Sequence, residues 1–337
     1  MAVSIRDVAK KAGVSVSTVS RALNGYTDVN ATTRKKIQST VQELGYIPNR
    51  SAKNLSSKVN KNIAIIISDS VFDEVVGNIL WGIYAYMNKK GETLATYGIS
   101  STMQKKKKLQ DLCNEYSLSG IILFGMKLED PYLKEIQTMD IPCVSLDTKI
   151  QGKNVSTVTI NDEEAFEEIT DYVIGMGHKE IVLIAGRAEA EVTCKRRRGF
   201  EKALKKHHID VEAITEYNCH FMEEEAFLRV KSYIEKNGKS KATAFLCMSD
   251  LMALGVMRAI KECGYSVPED FSVTGFDGLY TLKYVKPGLT TVDQSLREKG
   301  HTGIKALHEM LQQKEVPETI FVPYKFRIRD SVSKVDI

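Results

Sequence analysis

The sequence has no long hydrophobic run. None of its 337 residues belongs to a stretch that approaches the roughly 18 consecutive apolar residues of a membrane-spanning helix. The first residues also lack the apolar core of a secretory signal, because a capped helical pattern begins at Ser4. We therefore expect a cytoplasmic protein that has no membrane partner.

Signatures of catalysis and of metal binding are missing as well. Six cysteines are scattered along the chain without a C-x-x-C pair, and most of them stand in apolar runs typical of a core. The pairs His207-His208 and Cys219-His220 lack metal-ligand spacing. No G-x-S-x-G elbow occurs, and Gly175-Met176-Gly177 precedes a predicted strand, whereas a dinucleotide fingerprint follows one. The sequence predicts no metal, no cofactor and no enzymatic activity.

Charge is distributed unevenly along the chain. Residues 1–60 hold ten Lys and Arg and only three acidic residues, which gives +7, while the whole chain carries +4. The remainder is therefore slightly acidic, at −3. A basic head on an acidic body predicts a polyanionic partner for the head alone.

Two short helical patterns fill residues 4–23. The first begins at Ser4, whose spacing to Asp7 is that of a capping box, and ends at Gly13. The second follows Ser15, a candidate N-cap. Apolar residues recur on one face of each pattern: Ile5, Val8, Ala9 and Ala12, then Val19, Ala22 and Leu23. Small polar groups and one arginine are left on the outer face of the second helix, which is the arrangement of a helix that enters the major groove of DNA.

A third helix completes the head. Asn24-Gly25 breaks the chain, and Asn30 can cap a helix that turns Ile37, Val41 and Leu44 inward before Gly45. We interpret residues 1–48 as a helix-turn-helix domain.

The head resembles the lactose-repressor/galactose-repressor family of bacterial regulators. An ordered set of motifs over some fifty residues carries the resemblance: Asp7-Val8-Ala9, Ala12-Gly13-Val14-Ser15, Thr18-Val19-Ser20-Arg21, Leu23-Asn24, Thr33-Arg34, Leu44-Gly45-Tyr46 and Pro48-Asn49. The resemblance implies that Val16 and Ser17 touch base edges and that Arg21 reads a guanine, since a guanidinium matches the O6 and N7 acceptors. Phosphate contacts, which position the helix, are implied for Thr18, Ser20 and Asn24. Ser4 is a further predicted DNA-binding residue. Two alternatives stay open, a core contact for Val16 and a phosphate contact for Arg21.

The segment after Pro48 resembles the family's hinge helix. The resemblance implies that it orders on the operator and that two copies each insert a leucine into the minor groove, which bends the duplex. Leu55 matches that leucine and Ala52 its close-packing neighbour, and the other implied DNA contacts are Asn49, Arg50 and Lys53. An ordinary linker leucine is the alternative for Leu55. We interpret residues 49–61 as hinge helix and linker.

Residues 62–337 alternate apolar strands with helical patterns, which predicts an α/β body of parallel sheets covered by helices. The predicted strands are 63–67, 93–97, 120–124, 143–146, 157–160, 181–185, 244–247, 272–276 and 289–292. Two such sheets would enclose a cleft at their strand ends.

The body resembles the same family. Gly177-His178-Lys179-Glu180-Ile181, Arg198-Gly199-Phe200, Asp250 to Gly255, Thr274 to Asp277 and Leu289 to Val292 match its blocks. The resemblance implies a two-lobed body like the periplasmic sugar-binding proteins, made of two doubly wound parallel sheets with three crossings. We expect the first lobe to span about 62–159 and 290–321, and the second about 160–289 and 322–337.

Five residues resemble the family's effector ligands in the cleft. Arg196 matches an arginine that forks onto ligand hydroxyls, Asp277 an aspartate that accepts from them, and Phe221 an aromatic that stacks on a sugar ring. Asp147 ends a strand, and Ser249 stands where relatives carry asparagine. Structural roles are the alternatives: a turn cap for Asp147, a helix cap for Ser249, a solvated arginine, a core phenylalanine and a structural Asp277. Residues 69–76 depart from the family pattern, which leaves open whether a sugar binds.

These features together predict a DNA-binding transcriptional regulator. We interpret it as a repressor that grips a palindromic operator as a homodimer or tetramer and responds to a small, sugar-like effector in the cleft. We expect Ile79, Leu80 and Ile83 at the dimer interface of the first lobe. The alternatives are a regulator of the same fold controlled by a protein co-regulator, and a solute-binding protein.

Overall fold

The structure is a computed structural model that divides the chain into two units, Met1–Lys61 and Asn62–Ile337. The residues it describes are 3–23, 26–46, 62–68 and 73–335. In the described part of the chain, no helix is long and apolar enough to cross a membrane.

The described residues of the first unit form three helices: α1 (Ile5–Ala12), α2 (Val16–Leu23) and α3 (Ala31–Leu44). A capping box begins α1, since the Asp7 amide donates to Ser4 Oγ at 3.4 Å and the Ser4 amide donates to Asp7 Oδ2 at 2.8 Å. Gly13 ends α1 with a φ of 66°, a left-handed conformation that glycine adopts without strain. Apolar residues of all three helices form one small core: Val8, Ala9, Ala12, Val19, Ala22, Val29, Ile37 and Tyr46.

The first lobe of the second unit is built on a six-stranded parallel sheet. Its strands are β1 (Asn62–Ser68), β2 (Leu94–Ile99), β3 (Leu118–Phe124), β4 (Cys143–Leu146), β5 (Val155–Thr159) and β11 (Thr319–Phe321), in the order β11-β5-β4-β3-β1-β2. Its helices are α4 (Glu74–Lys90), α5 (Ser101–Lys106), α6 (Leu109–Glu115), α7 (Pro131–Glu135) and α12 (Leu296–Leu311). The central strands are buried along their length, as expected for strands covered by helices on both faces.

The second lobe repeats this architecture. Its strands are β6 (Ile181–Ala185), β7 (Thr215–Asn218), β8 (Ala244–Cys247), β9 (Ser272–Asp277), β10 (Thr290–Asp293) and β12 (Lys325–Arg327), in the order β12-β10-β9-β8-β6-β7. All pairs are parallel except β10 with β12. Its helices are α8 (Asp162–Gly175), α9 (Glu191–Lys206), α10 (Glu223–Asn237) and α11 (Asp250–Glu262), with a 3₁₀ helix at Tyr280–Tyr284.

The chain crosses between the lobes three times. The second crossing differs from the expected boundary at 290, because β10 pairs with β9 in the second sheet and Thr290 lies opposite Thr274. The chain therefore enters the first lobe after Asp293. Strand β10 belongs to the second sheet because its main-chain amide and carbonyl groups form hydrogen bonds with β9.

Glycines let α4 and α12 pack closely within the first lobe. A Cβ at Gly82 would lie 1.9 Å from the Arg297 carbonyl oxygen, and one at Gly300 would lie 2.1 Å from that of Ile79. This contact corrects the expected dimer interface. Ile79 and Ile83 are fully buried in the core of their own chain, because the face of α4 that carries them is used by α12.

Candidate nucleic-acid interface and interlobe cavity

The outer face of α2 carries the side chains that the sequence predicts to meet DNA bases. Val16 is 41% exposed, and it lies outside the small core of the head. Ser17 is exposed as well. Ser15 Oγ accepts from the Thr18 amide at 3.1 Å, which caps α2 and places Val16 and Ser17 in its first turn. The first turn of a recognition helix is the part that reaches base edges in helix-turn-helix proteins.

Arg21 is exposed in the last turn of α2 and is held by two neighbours. Its guanidinium forms an ion pair with Asp28 and lies 5.4 Å from the centre of the Tyr26 ring. Both partners of the ion pair are about half exposed, so the pair contributes little to stability and costs little to break. Arg21 can therefore exchange Asp28 for an acceptor on DNA.

The other predicted DNA contacts are placed only in part. Ser4 caps α1 and donates from Oγ to Asp7 Oδ2 at 2.7 Å. Thr18 Oγ1 lies 2.7 Å from Ser15 Oγ, and Ser20 is half-buried. The remaining candidates lie outside the described residues: Asn24, Asn49, Arg50, Ala52, Lys53 and Leu55.

A cavity of about 180 Å³ lies between the lobes, at the carboxyl ends of β3, β4 and β9. All five predicted effector residues line it: Asp147, Arg196, Phe221, Ser249 and Asp277. In open α/β sheets this edge is where ligands bind, because strand ends and helix N-termini meet there. No group of three metal-ligating side chains occurs among the described residues.

Arg196 is buried and already held on two sides. Its Nε donates to Asp162 Oδ1 at 2.8 Å and its NH1 donates to the Met248 carbonyl at 2.6 Å. Its guanidinium also lies 3.8 Å from the centre of the Phe276 ring. These contacts fix the plane of the guanidinium at the wall of the cavity.

Asp277 and Asp250 form a buried acidic pair. Burial raises the pKa of Asp277 well above its ordinary value, and the neighbouring Asp250 raises it further. Burial also raises the pKa of Asp250 to about 6, although Thr291 Oγ1 donates to it at 2.6 Å. The two carboxyl groups therefore titrate as a pair.

The carboxylate of Asp147 has a different environment, which sequence reasoning missed. The fully buried Lys299 of α12 donates to Asp147 Oδ1 at 2.6 Å and to Gln294 Oε1 at 2.7 Å. Gln294 in turn donates from Nε2 to Asp277 Oδ1 at 2.6 Å. One chain of polar groups thus links an aspartate of the first lobe to an aspartate of the second.

Phe221 and Ser249 complete the second-lobe wall. The Phe221 ring packs directly on Gly186, where an added Cβ would lie 2.0 Å from the ring. His220 and Phe221 both have positive φ, 52° and 64°, so this turn is strained where it presents the ring. Ser249 Oγ accepts from the Met252 amide at 3.2 Å and caps α11.

Direct hydrogen bonds join the two lobes. Glu74 at the start of α4 accepts from the Tyr280 amide at 2.5 Å and from Thr281 Oγ1 at 2.7 Å. On another side, the Leu128 amide donates to the Glu189 carbonyl at 2.9 Å. A change of lobe angle would break these contacts.

Comparisons with known proteins agree with this architecture. A model of bacterial regulatory proteins of the lacI family matches residues 4–49, and one of a periplasmic binding protein-like domain matches residues 170–332. The HTH-type transcriptional repressor PurR of Aliivibrio fischeri (strain ATCC 700601 / ES114) is 30% identical over 326 residues, which cover 94% of each chain. The chain belongs to the lacI family. Catabolite control protein A of Priestia megaterium is also 30% identical, over 339 residues that cover 98% of this chain and 99% of its own.

As a member of the lacI family, the chain is a DNA-binding transcriptional repressor. The lac repressor dimer bound to operator and the anti-inducer ONPF has a TM-score of 0.83 to this structure. It is 27% identical, over 99% of this chain and 100% of its own. The predicted fold class, a helix-turn-helix head with a two-lobed α/β body, is confirmed.

Proposed function

We propose that this lacI-family repressor binds a palindromic operator as a dimer, and that a small molecule in the interlobe cavity sets its affinity for DNA. The effector class that the cavity suits is a sugar or a sugar derivative. The observation that carries the proposal is the convergence of five residues, chosen from sequence alone, on one cavity. They come from both lobes and are separated by up to 130 residues of chain.

The lining of the cavity matches the chemistry of a polyhydroxylated ring. Phe221 offers an apolar platform. Arg196 offers a guanidinium donor, and Asp277 offers a carboxyl group whose pKa is raised by burial and by Asp250. Such a site binds hydroxyl groups through paired hydrogen bonds while the ring covers an apolar surface.

Exposed aromatic side chains support the dimer. Trp81 and Tyr84 lie on the outer face of α4, and Tyr280 and Tyr284 lie on the 3₁₀ helix of the second lobe. Trp81 is 55% exposed and Tyr284 is 74% exposed. Large exposed aromatics on both lobes are typical of a protein interface. The dimeric state of the lac repressor in its operator complex supports the same arrangement.

The ligand would act through the lobe angle. Glu74 and the Leu128 amide join the first lobe to the second through hydrogen bonds to their second-lobe partners. A ligand shifts the equilibrium between arrangements only as far as its affinity for them differs. We propose that the lobe angle sets the spacing of the two heads, with residues 49–61 as the connection.

The proposal is tested by selecting duplexes from a random pool with the full chain and measuring their affinity against salt. We expect the logarithm of the binding constant to fall with slope of about −0.9 for each phosphate neutralised. A panel of sugars and sugar derivatives is then added. We expect at least one to raise the melting temperature, since it binds only the native state, and to change the affinity for the selected duplex.

Phe221→Ala should abolish this response, measured as the ratio of operator affinities with and without the active compound. Leu228→Ala is the matched control, because Leu228 is 55% exposed on the neighbouring helix α10 and does not line the cavity. The control should respond like the parent protein. A normal response from Phe221→Ala would place the effector outside this cavity.

A further inference from the structure

We infer that the effector carries an anionic group, a phosphate or a carboxylate, and that Arg187 binds it at one end of the interlobe cavity. This inference rests on the proposed function, because it specifies the charge of the ligand that the cavity takes. It comes from the charged side chains around the cavity, and from one arginine whose Nε has no hydrogen-bond partner among the described residues.

Arg187 lies directly after Gly186, in the turn between β6 and α9, and lines the cavity. Its Nε is buried and has no hydrogen-bond partner in the described part of the chain. No described acidic side chain forms an ion pair with its guanidinium, in contrast to Arg196, Arg197 and Arg198 in the helix that follows. An arginine remains charged at any physiological pH, and a desolvated donor without an acceptor costs free energy. Arg187 is therefore placed to receive an acceptor from a ligand.

The acidic side chains that line the cavity are already satisfied. Asp147 is paired with Lys299 at 2.6 Å. Glu191 is paired with Lys195 at 2.7 Å and also accepts from the Lys149 amide at 2.7 Å. No charge of either carboxylate is left for a cationic ligand.

The other two acids of the lining also accept hydrogen bonds from this chain. Asp73 accepts from the Val76 amide at 3.1 Å as the N-cap of α4, and burial raises its pKa. Asp277 accepts from Gln294 at 2.6 Å, and burial together with Asp250 raises its pKa well above the ordinary value. Among the described residues of the lining, Arg187 is therefore an arginine with a buried Nε that no acidic side chain has paired.

The neighbours of Arg187 suit a sugar that carries an anion. Phe221 packs on Gly186, so the aromatic platform and the guanidinium belong to adjacent residues of one wall. The helix α9 begins at Glu191 after the N-cap residue Ala190, whose side chain cannot cap it, and Ala190, Glu191 and Val192 all line the cavity. The free amides of that first turn add partial positive charge near the guanidinium. A ring stacked on Phe221 would direct its charged substituent toward this end.

The test uses the full chain and charge-matched ligands. For each hexose we would compare the neutral sugar, the 6-phosphate, the corresponding uronate and the amino sugar by isothermal titration calorimetry, with inorganic phosphate as a further probe. We expect a phosphate or a uronate to bind at least about tenfold more tightly than its neutral parent, as a bidentate guanidinium contact allows. The two anionic arms separate a phosphate ligand from a carboxylate ligand.

Three variants locate the contact. Arg187→Gln should reduce the affinity for the anionic sugar to that of its neutral parent, while Arg187→Lys should retain a preference for the anion because it keeps the charge. Arg198→Gln is the matched control, since it removes one positive charge from an exposed ion pair on α9 that does not line the cavity. It should leave the preference intact.

The outcomes separate the two proposals. If a neutral or amino sugar binds best and changes operator affinity, the effector function stands and the anionic group is wrong. An unchanged preference in Arg187→Gln would also overturn the inference. If no compound of any charge binds the native protein, both the anion site and the effector function fail.

Discussion

Asp147 of the first lobe and Asp277 of the second lobe occupy matching places in the two sheets. Asp147 directly follows β4 and Asp277 ends β9, both at the cavity, and both have positive φ, 71° and 132°. Their charges are compensated differently. Asp147 is paired with the buried Lys299, whereas Asp277 lies beside another carboxyl group and has a raised pKa. The same fold position thus supports an ion pair in one lobe and a carboxyl group with a raised pKa in the other.

This difference shows why one cavity can hold so many acidic groups. A buried carboxylate must be paired or lose its charge, because the cost of desolvating it exceeds most single interactions. Gln294 links the ion pair of the first lobe to the acidic pair of the second. Its amide oxygen accepts from Lys299, and its amide nitrogen donates to Asp277. Gln294 lies at the second crossing between the lobes. This crossing therefore contacts Asp277 directly, and it contacts Asp147 through Lys299.

The largest effect is expected from Lys299→Met, which removes the cation of the first-lobe pair. Asp147 would then be left as a carboxylate without its cation, and the loss of one partner of a buried pair costs about 3–5 kcal/mol. Asp147 keeps some exposure, so we expect the lower end of this range. Urea unfolding at neutral pH measures the loss. Lys305→Met, at an exposed position of the same helix, is the control and should change the unfolding free energy by less than about 0.5 kcal/mol.

A cost below about 1 kcal/mol for Lys299→Met would mean that Asp147 does not depend on the ion pair. The double variant Lys299→Met with Asp147→Asn sharpens the comparison. It removes both charges and should recover most of the loss, since no unpaired ion remains.

The acidic pair Asp250 and Asp277 of the second lobe predicts that the free energy of unfolding falls as the pH rises. A carboxyl group whose folded pKa is raised stabilises the fold fully below its unfolded pKa of about 3.9. This contribution is lost as the pH rises through the folded pKa, which is about 6 for Asp250 and well above the ordinary value for Asp277. Asp277→Asn removes the titrating carboxyl group, and with it this loss of stability at rising pH. Relative to the parent chain, the variant should therefore gain stability from pH 4 to pH 7, by at most about 1.4 kcal/mol for each pH unit.

Unfolding free energies at several pH values check this prediction, with Asp147→Asn as the matched control. That control leaves the buried Lys299 without its carboxylate, so we expect it to be less stable than the parent at pH 7. If both asparagine variants lost stability equally at pH 7, the two lobes would not differ in the way the structure indicates.

Much of this arrangement could be predicted from sequence, and the exceptions have physical causes. The helices of the head and the central strands of both sheets follow from apolar periodicity and caps, because local pattern and tertiary burial agree there. The short edge strands Thr215–Asn218, Thr319–Phe321 and Lys325–Arg327 were not predicted. They carry three or four residues each, so neighbouring strands, rather than their own pattern, decide their conformation.

The residues that line the candidate cavity were predicted only in part. Strand-end residues such as Asp147 and Asp277 are recognisable because the fold brings strand ends together. Lys299 and Arg187 were missed, because a lysine in a polar helical pattern and an arginine in a turn both look solvated in sequence. Tertiary packing buries the ammonium of Lys299 beside Asp147 and Gln294. Asp250 was read within a motif, and its approach to β9 depends on Gly275, where a Cβ would lie 2.2 Å from Asp250 Oδ1.

The smallest expected effect concerns the helix caps that line the cavity, Asp73 in the first lobe and Ser249 in the second. Ser249→Ala removes the acceptor of the Met252 amide and should cost about 1 kcal/mol of unfolding free energy. Ser249→Asn should retain the cap, because asparagine is an equally good N-cap residue. Thermal unfolding and titration with the active sugar, measured together, separate the two roles of Ser249. A cap alone lowers stability and leaves the ligand affinity of the folded protein unchanged, whereas an unchanged melting temperature with weakened binding would make Ser249 a ligand contact instead.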